Sequence, residues 1–244
     1  MLLFPKKNTN LQLDKFLLPV LLLLLVFLSY YNFIFLENAR PGKILQETLQ
    51  SMEQNYDTYD IEIIERGEGY RIYFTGSLKD KDIFYGNIAG HKLDIYKHSS
   101  GELFIKDLKD GTWKSAADLK LDSLNDFFVS PLQLLPLWSH LFKNAKLINY
   151  PDSQEKIIQL NISPQDMEKA GIFKDYFQDG PFWLECLVFI DPQNLFINQV
   201  VLSLYDQKKL ESILSRTFSI RHSENGFPDA IPALILEDKE EIIY

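Results

Sequence analysis

The stretch GELFIKDLKDGTWKSAADL, residues 101–119, decides the fold. Leu103, Phe104 and Ile105 form a short strand-like apolar run, LKDG has turn composition, and Trp113 follows it. Such a run closed by a Gly-containing turn is the signature of a β-hairpin. Leu103, Ile105 and Trp113 are therefore expected on the dry face of a sheet.

Working outward, a period of two recurs upstream in YDIEIIER, GYRIYFTGS, DIFYGNI and HKLDIYK, separated by glycine-rich or charged turns. Short strands with short connections make an antiparallel meander. Tyr70, Ile72 and Phe74 fall opposite Arg71, Tyr73 and Thr75, and Leu93 with Ile95 opposite Lys92 with Asp94. Such a sheet has one wet face and one dry face, and the dry one needs a cover.

Downstream, LDSLNDFFVSPLQLLPLWSHLFKN places Leu124, Phe127, Phe128, Leu135, Trp138, Leu141 and Phe142 on a helical stripe. Pro131 and Pro136 divide it, so a broken pair of helices is expected rather than a straight rod. A second β series follows in KLINY, EKIIQLNI, FWLECLVFI, LFINQVVLSLY and ILSRTFSIR. Ser163 and Pro164 read as the cap and first turn of a short helix within it. Beyond residue 225, two prolines and an acidic cluster suggest a loose tail.

At the other end, FLLPVLLLLLVFLSYYNFIFL, residues 16–36, carries no charge and is long enough to span a bilayer. Lys6, Lys7 and Lys15 precede it, so the positive-inside rule places the N-terminus in the cytoplasm and the remainder outside. No small-residue cleavage site follows Leu36, which favours an anchor over a signal peptide. The expected organisation is a cytoplasmic tail over 1–15, an anchor over 16–36, an extracytoplasmic β-rich domain over 37–224 and an acidic tail over 225–244. Pro41 is expected to open a helix in which Ile44, Leu45, Leu49 and Met52 share a face.

The net charge of −9 disfavours nucleic acid and direct docking on anionic headgroups. The lone Cys186 cannot form an internal disulfide and sits in an apolar strand as a small buried hydrophobe. No zincin, nucleophile-elbow or phosphate-loop motif occurs, so no enzyme, cofactor or metal is expected. Glu65, Glu68 and the histidines His91, His98, His140 and His222 read as solvated turn or surface groups. DKDIFYG, residues 80–86, lacks the later oxygen ligands of a calcium loop and reads as a turn.

The order helix, meander, covering helices and further strands, with GELFIKDLKDGTWKS as its clearest part, resembles the LolA/LprG-like lipoprotein-carrier superfamily. The segments LNDFFVSPLQLLPLW and FIDPQNLFINQVVLSL, through Asp191, Leu195, Ile197 and Val200, are similar to the segments that follow in that family. The resemblance implies an α+β fold, a half-open antiparallel β-barrel covered by helices, with an apolar cavity that holds acyl chains. Its cover wall would comprise Phe127, Phe128, Leu135, Trp138 and Phe142. Its sheet wall would comprise Ile72, Phe74, Leu93, Ile95 and Ile105. Family members are soluble after cleavage or acylated at a cysteine, whereas this chain keeps a protein anchor. The implied partners are a lipid or other apolar ligand and the membrane; the alternative is an envelope scaffold with a self-filled core and a protein partner.

Overall fold

The computed structural model describes residues 10–90, 93–106, 109, 111–148, 154–176, 182–206, 212–224 and 226–227, without side chains for 10–18, 32–40 and 175. It divides into two compact units, Met1–Arg40 and Pro41–Tyr244.

In the first unit the described residues belong to helix α1, assigned over Asn10–Asn55. Val20 to Leu28, Tyr30 and Tyr31 are all exposed, between 46% and 72%. Among the described residues no helix is long and apolar enough to cross a membrane. The side chains of 16–18 and 32–36, which complete the expected anchor, lie outside the described residues.

The second unit contains the last part of α1 and one sheet of eleven strands. These are β1 (Thr58–Gly67), β2 (Tyr70–Lys79), β3 (Ile83–Ile88), β4 (Leu93–Lys97), β5 (Leu103–Lys106) and β6 (Trp113–Ser115). After the covering segment come β7 (Lys146–Ile148), β8 (Lys156–Ile162), β9 (Phe182–Asp191), β10 (Phe196–Asp206) and β11 (Ser212–His222). The order is β6-β5-β4-β3-β2-β1-β11-β10-β9-β8-β7, antiparallel throughout. The first and last strands therefore pair at the centre, and two meanders extend from them as wings. Chain leaving the outer edge at β6 must return to the opposite edge at β7, which lies ten strand intervals or roughly 48 Å away along the sheet. That crossing supplies the cover.

The cover is broken before Pro131, whereas Pro136, also expected to divide it, lies inside the next helix. Helix α2 (Leu124–Phe127) is one turn, α3 (Pro131–Leu137) starts on Pro131, and a 3-10 turn follows over Ser139–Asn144. Ser130 caps α3, its hydroxyl accepting from the Leu132 N–H at 3.1 Å. Pro131 occupies the first turn, where a missing N–H costs nothing. Helix α4 (Pro164–Ala170) is capped by Ser163 as expected and ends on Gly171 at φ 69°.

Alternation in the strands fills one face with hydrocarbon: Phe182, Leu184, Cys186, Val188 and Ile190 of β9 are all buried, with partly exposed residues between them. On β2 and β3, Gly76 and Gly86 are directly paired, and a Cβ on either would meet the Phe74 ring within 2.8 Å. The glycine pair is what lets that ring lie on the sheet. Gly42 serves a similar end: a Cβ there would come within 2.2 Å of the Phe142 carbonyl oxygen, so α1 and the 3-10 turn touch backbone to backbone. Tyr59 closes the end of α1, its O–H donating to the carbonyls of Met52 and Tyr56 at 3.1 and 3.2 Å.

Three expectations need correction. No new helix opens at Pro41; the residue falls inside α1, itself buried and followed by the buried Leu45, Thr48 and Met52. Trp113 pairs with Lys106, while Lys114 pairs with Ile105, so Trp113 takes the face opposite Leu103 and Ile105. The turn between β5 and β6 sets a register one residue away from the one assumed, and a one-residue slip exchanges the faces. Tyr70 is 41% exposed at the strand end rather than buried beside Phe74. His91, Lys92 and most of the tail lie outside the described residues; within the tail, Phe227 rests against Tyr85 with centroids 6.5 Å apart.

Candidate functional site

The ten residues assigned to the interior belong to one apolar cluster. Phe74, Ile95, Ile105, Phe127, Phe128, Leu135, Trp138 and Phe142 are buried, and Ile72 and Leu93 pack half-buried at its margin. Phe128 is the point where cover and sheet meet. Its ring stands edge-on to Phe74 at 5.0 Å and to Phe84 at 5.6 Å, and Phe127 stands edge-on to it at 4.9 Å. Such geometry is the favoured contact between aromatic quadrupoles. Trp138 is buried with its indole N–H donating to the Asp166 carbonyl at 3.4 Å. The wall is thus in contact with itself in this state. Three grooves on the described surface, of about 780, 200 and 260 Å³, include none of the wall residues in their linings.

Two cations lie inside this hydrocarbon, and both grip the same turn of α2. Arg216 of β11 is buried beside Leu214 and Phe218, and Glu65 of β1 is its direct cross-strand partner. The Arg216 Nε–H donates to Glu65 Oε2 at 2.6 Å, and Nη2 lies 2.5 Å from the same oxygen. Its Nη1–H donates to the Asp126 carbonyl at 2.6 Å, and the guanidinium is sandwiched near the rings of Phe127 and Phe173. Tyr70 completes the group by donating to Glu65 Oε1 at 3.0 Å. The Asp126 carboxylate accepts from the Phe173 N–H at 2.6 Å through Oδ2. Its Oδ1 lies 3.5 Å from Arg216 Nη1, near enough for Coulomb attraction but without a hydrogen bond. Burial pushes the Asp126 carboxyl above the usual carboxylate range, and the guanidinium opposes this.

On the other wing, Lys97 of β4 is 8% exposed and faces inward with Ile95. Its Nζ donates to the Phe128 carbonyl at 2.8 Å and sits 5.6 Å from the Phe84 ring. Burial draws this ammonium below the usual lysine range, against the charge of Asp82. A one-turn helix leaves its carbonyls without internal partners. Here Arg216 and Lys97, one from each wing, fill that need at Asp126 and Phe128.

These charged residues were missed, and Glu65 was misplaced as solvated. The signal was present in the alternation: Glu65 is in phase with Ile61 and Ile63, and Arg216 with Leu214, Phe218 and Ile220. A charge of each sign in a dry phase, on strands that close a sheet, points to a buried pair. Glu68 is exposed, and His98 forms a local turn contact with Ser100. His140 meets Asp166 at 3.2 Å, and His222 lies against Tyr56. Cys186 is fully buried, with its thiol pushed up by desolvation.

No protein-family model matches the chain, and no curated protein is similar to it. Among solved structures it is similar to the lipoprotein LppX of Mycobacterium tuberculosis, at 10% identity and TM-score 0.43 over 73% of this chain and 93% of that one. It is also similar to a DUF1329 family protein of Desulfovibrio piger, at 10% identity and TM-score 0.31 over 78% and 96% of the two chains. The described residues themselves form one open antiparallel sheet with short helices over its apolar face.

Proposed function

We propose that the chain is a membrane-anchored, extracytoplasmic module that holds a lipid or other apolar molecule between the sheet and its covering helices. The observation that carries this reading is the construction of the cover. An eleven-stranded sheet presents a continuous apolar face, yet α2 and α3 have only four and seven residues and are separated at Pro131. A cover in short pieces, resting on rings and held at one turn by two buried cations, is suited to lifting. The role is binding rather than catalysis, because the wall is hydrocarbon and the charged groups inside it are engaged with the cover.

The anchor is supported by the exposed run from Val20 to Tyr31, apolar on every side of its helix, a pattern that lipid satisfies and water does not. Lys6, Lys7 and Lys15 before it favour a cytoplasmic N-terminus.

A second reading has its own observation. The wall residues touch one another, with Phe74 and Phe128 only 5.0 Å apart, as they would in a scaffold whose core is self-filled. Full-length chain extracted into amphipol, freed of loosely held lipid and analysed by native mass spectrometry separates the two. Binding predicts a species carrying stoichiometric acyl-chain mass; a scaffold predicts bare protein only. Protease added outside intact cells tests the orientation, with degradation of the domain expected and full protection contradicting it.

A further inference from the structure

We propose that Lys97 is the headgroup-binding residue of this interior and that the ligand it selects is a carboxylate-bearing acyl chain. The proposal rests on the reading of the interior as a binding site and adds to it the chemical class of the occupant. An ammonium has three donors and no acceptor. Lys97 uses one on the neutral carbonyl of Phe128, its charge faces the Phe84 ring, and among the described residues it takes part in no ion pair. Arg216 differs, since Glu65 and Asp126 already supply it with carboxylates.

The consequence lies in what lifting the cover does. Phe128 belongs to the cover, so displacing it removes the acceptor that Lys97 has among the described residues and leaves it only the more distant charge of Asp82. A buried ammonium with no acceptor is costly, and a neutral ligand does nothing to relieve it. A carboxylate arriving at Nζ replaces the carbonyl with a charge-assisted hydrogen bond, which is the stronger of the two. Opening is therefore favoured by an anionic head and opposed by a neutral one. Lys97 stands at the right place for this. It is the direct cross-strand partner of Phe84 and Leu103, so a chain whose head is at Nζ has the rings of Phe84, Phe128 and Phe74 along its path.

The test uses full-length protein in amphipol, titrated with decanoate labelled with 13C at the carboxyl, with decan-1-ol and with decyl phosphate. Lys97→Met and Lys97→Arg are the variants, and their near-ultraviolet circular dichroism checks that they fold. Wild type should bind decanoate roughly ten-fold more tightly than decan-1-ol, the value of one added charge-assisted bond. Lys97→Met should lose that advantage and bind decan-1-ol more tightly than wild type does, since no ammonium is stranded on opening, and Lys97→Arg should keep the preference for decanoate. The carboxyl resonance of bound decanoate should stay in its ionised position to lower pH than in free solution, and only when residue 97 is cationic. Equal affinity for acid and alcohol in wild type overturns the proposal, as does an equal loss of both in Lys97→Met. Binding of decyl phosphate without decanoate overturns the carboxylate assignment. Failure of folded wild type to bind any of the probes overturns the binding function itself.

Discussion

Replacing Arg216 by methionine removes the cation that joins the two central strands to the cover, with little change in side-chain length. The side chains of Arg216 and Glu65 are 3% and 8% exposed, so among the described residues the carboxylate left behind keeps the Tyr70 hydroxyl alone for support. Breaking a buried pair from one side typically costs about 3–5 kcal/mol, because the remaining charge is stranded. Here the Asp126 carbonyl also loses its donor and the Phe127 and Phe173 rings lose their cation, which places Arg216→Met in the upper part of that range. Glu65→Leu alone should cost less, since Asp126 still faces the guanidinium. The double variant Glu65→Leu/Arg216→Met strands neither charge of the pair and should recover about 2 kcal/mol or more relative to the sum of the single changes. Urea unfolding followed by tryptophan fluorescence measures all four proteins. A loss below about 1 kcal/mol for Arg216→Met, or strict additivity in the double variant, would refute the buried-latch account.

Gly42→Ala should destabilise by about 1–3 kcal/mol in the same assay, because its methyl group meets the Phe142 carbonyl oxygen and one backbone must retreat. Trp138→Ala should cost about 3–5 kcal/mol in unloaded protein, as the indole is fully packed; a loss near 1 kcal/mol would place it beside open space. Asp126 has a folded-state pKa raised by burial, so its contribution to stability is present below the ordinary carboxylate pKa and is lost as pH rises through the raised value. Asp126→Asn should therefore flatten the stability profile in the mildly acidic range above the ordinary Asp value; an unchanged profile would show that the carboxyl is not desolvated. Cys186 should resist thiol reagents until the protein unfolds, and prompt modification of native protein would contradict its burial.

Most strands were legible because each buries one face, and a two-residue period survives without knowledge of its partners. FWLECLVFI shows it directly, and the break at Pro131 was legible from proline chemistry alone. Pairing was not. Nothing local in YDIEIIER or ILSRTFSIR says that the first and last strands meet, so Glu65 and Arg216 looked like unrelated charges. Trp113 took the other face for a similar reason, since its register depends on a turn whose length, rather than composition, decides the outcome. Lys97 was hidden by position: at the end of HKLDIYK it resembles a strand-terminal lysine, and only the arrival of Phe128 from the cover makes it an interior group.

The central claim is that an acyl chain enters between the sheet and α2–α3. Palmitate carrying a photoactivatable diazirine, supplied to membranes holding the full-length chain and followed by peptide mapping after irradiation, tests it most directly. The account predicts adducts on the interior residues Phe74, Phe84 and Phe128, diminished by excess unlabelled palmitate. Labelling confined to the apolar run from Val20 to Tyr31, with none on the interior, would contradict it.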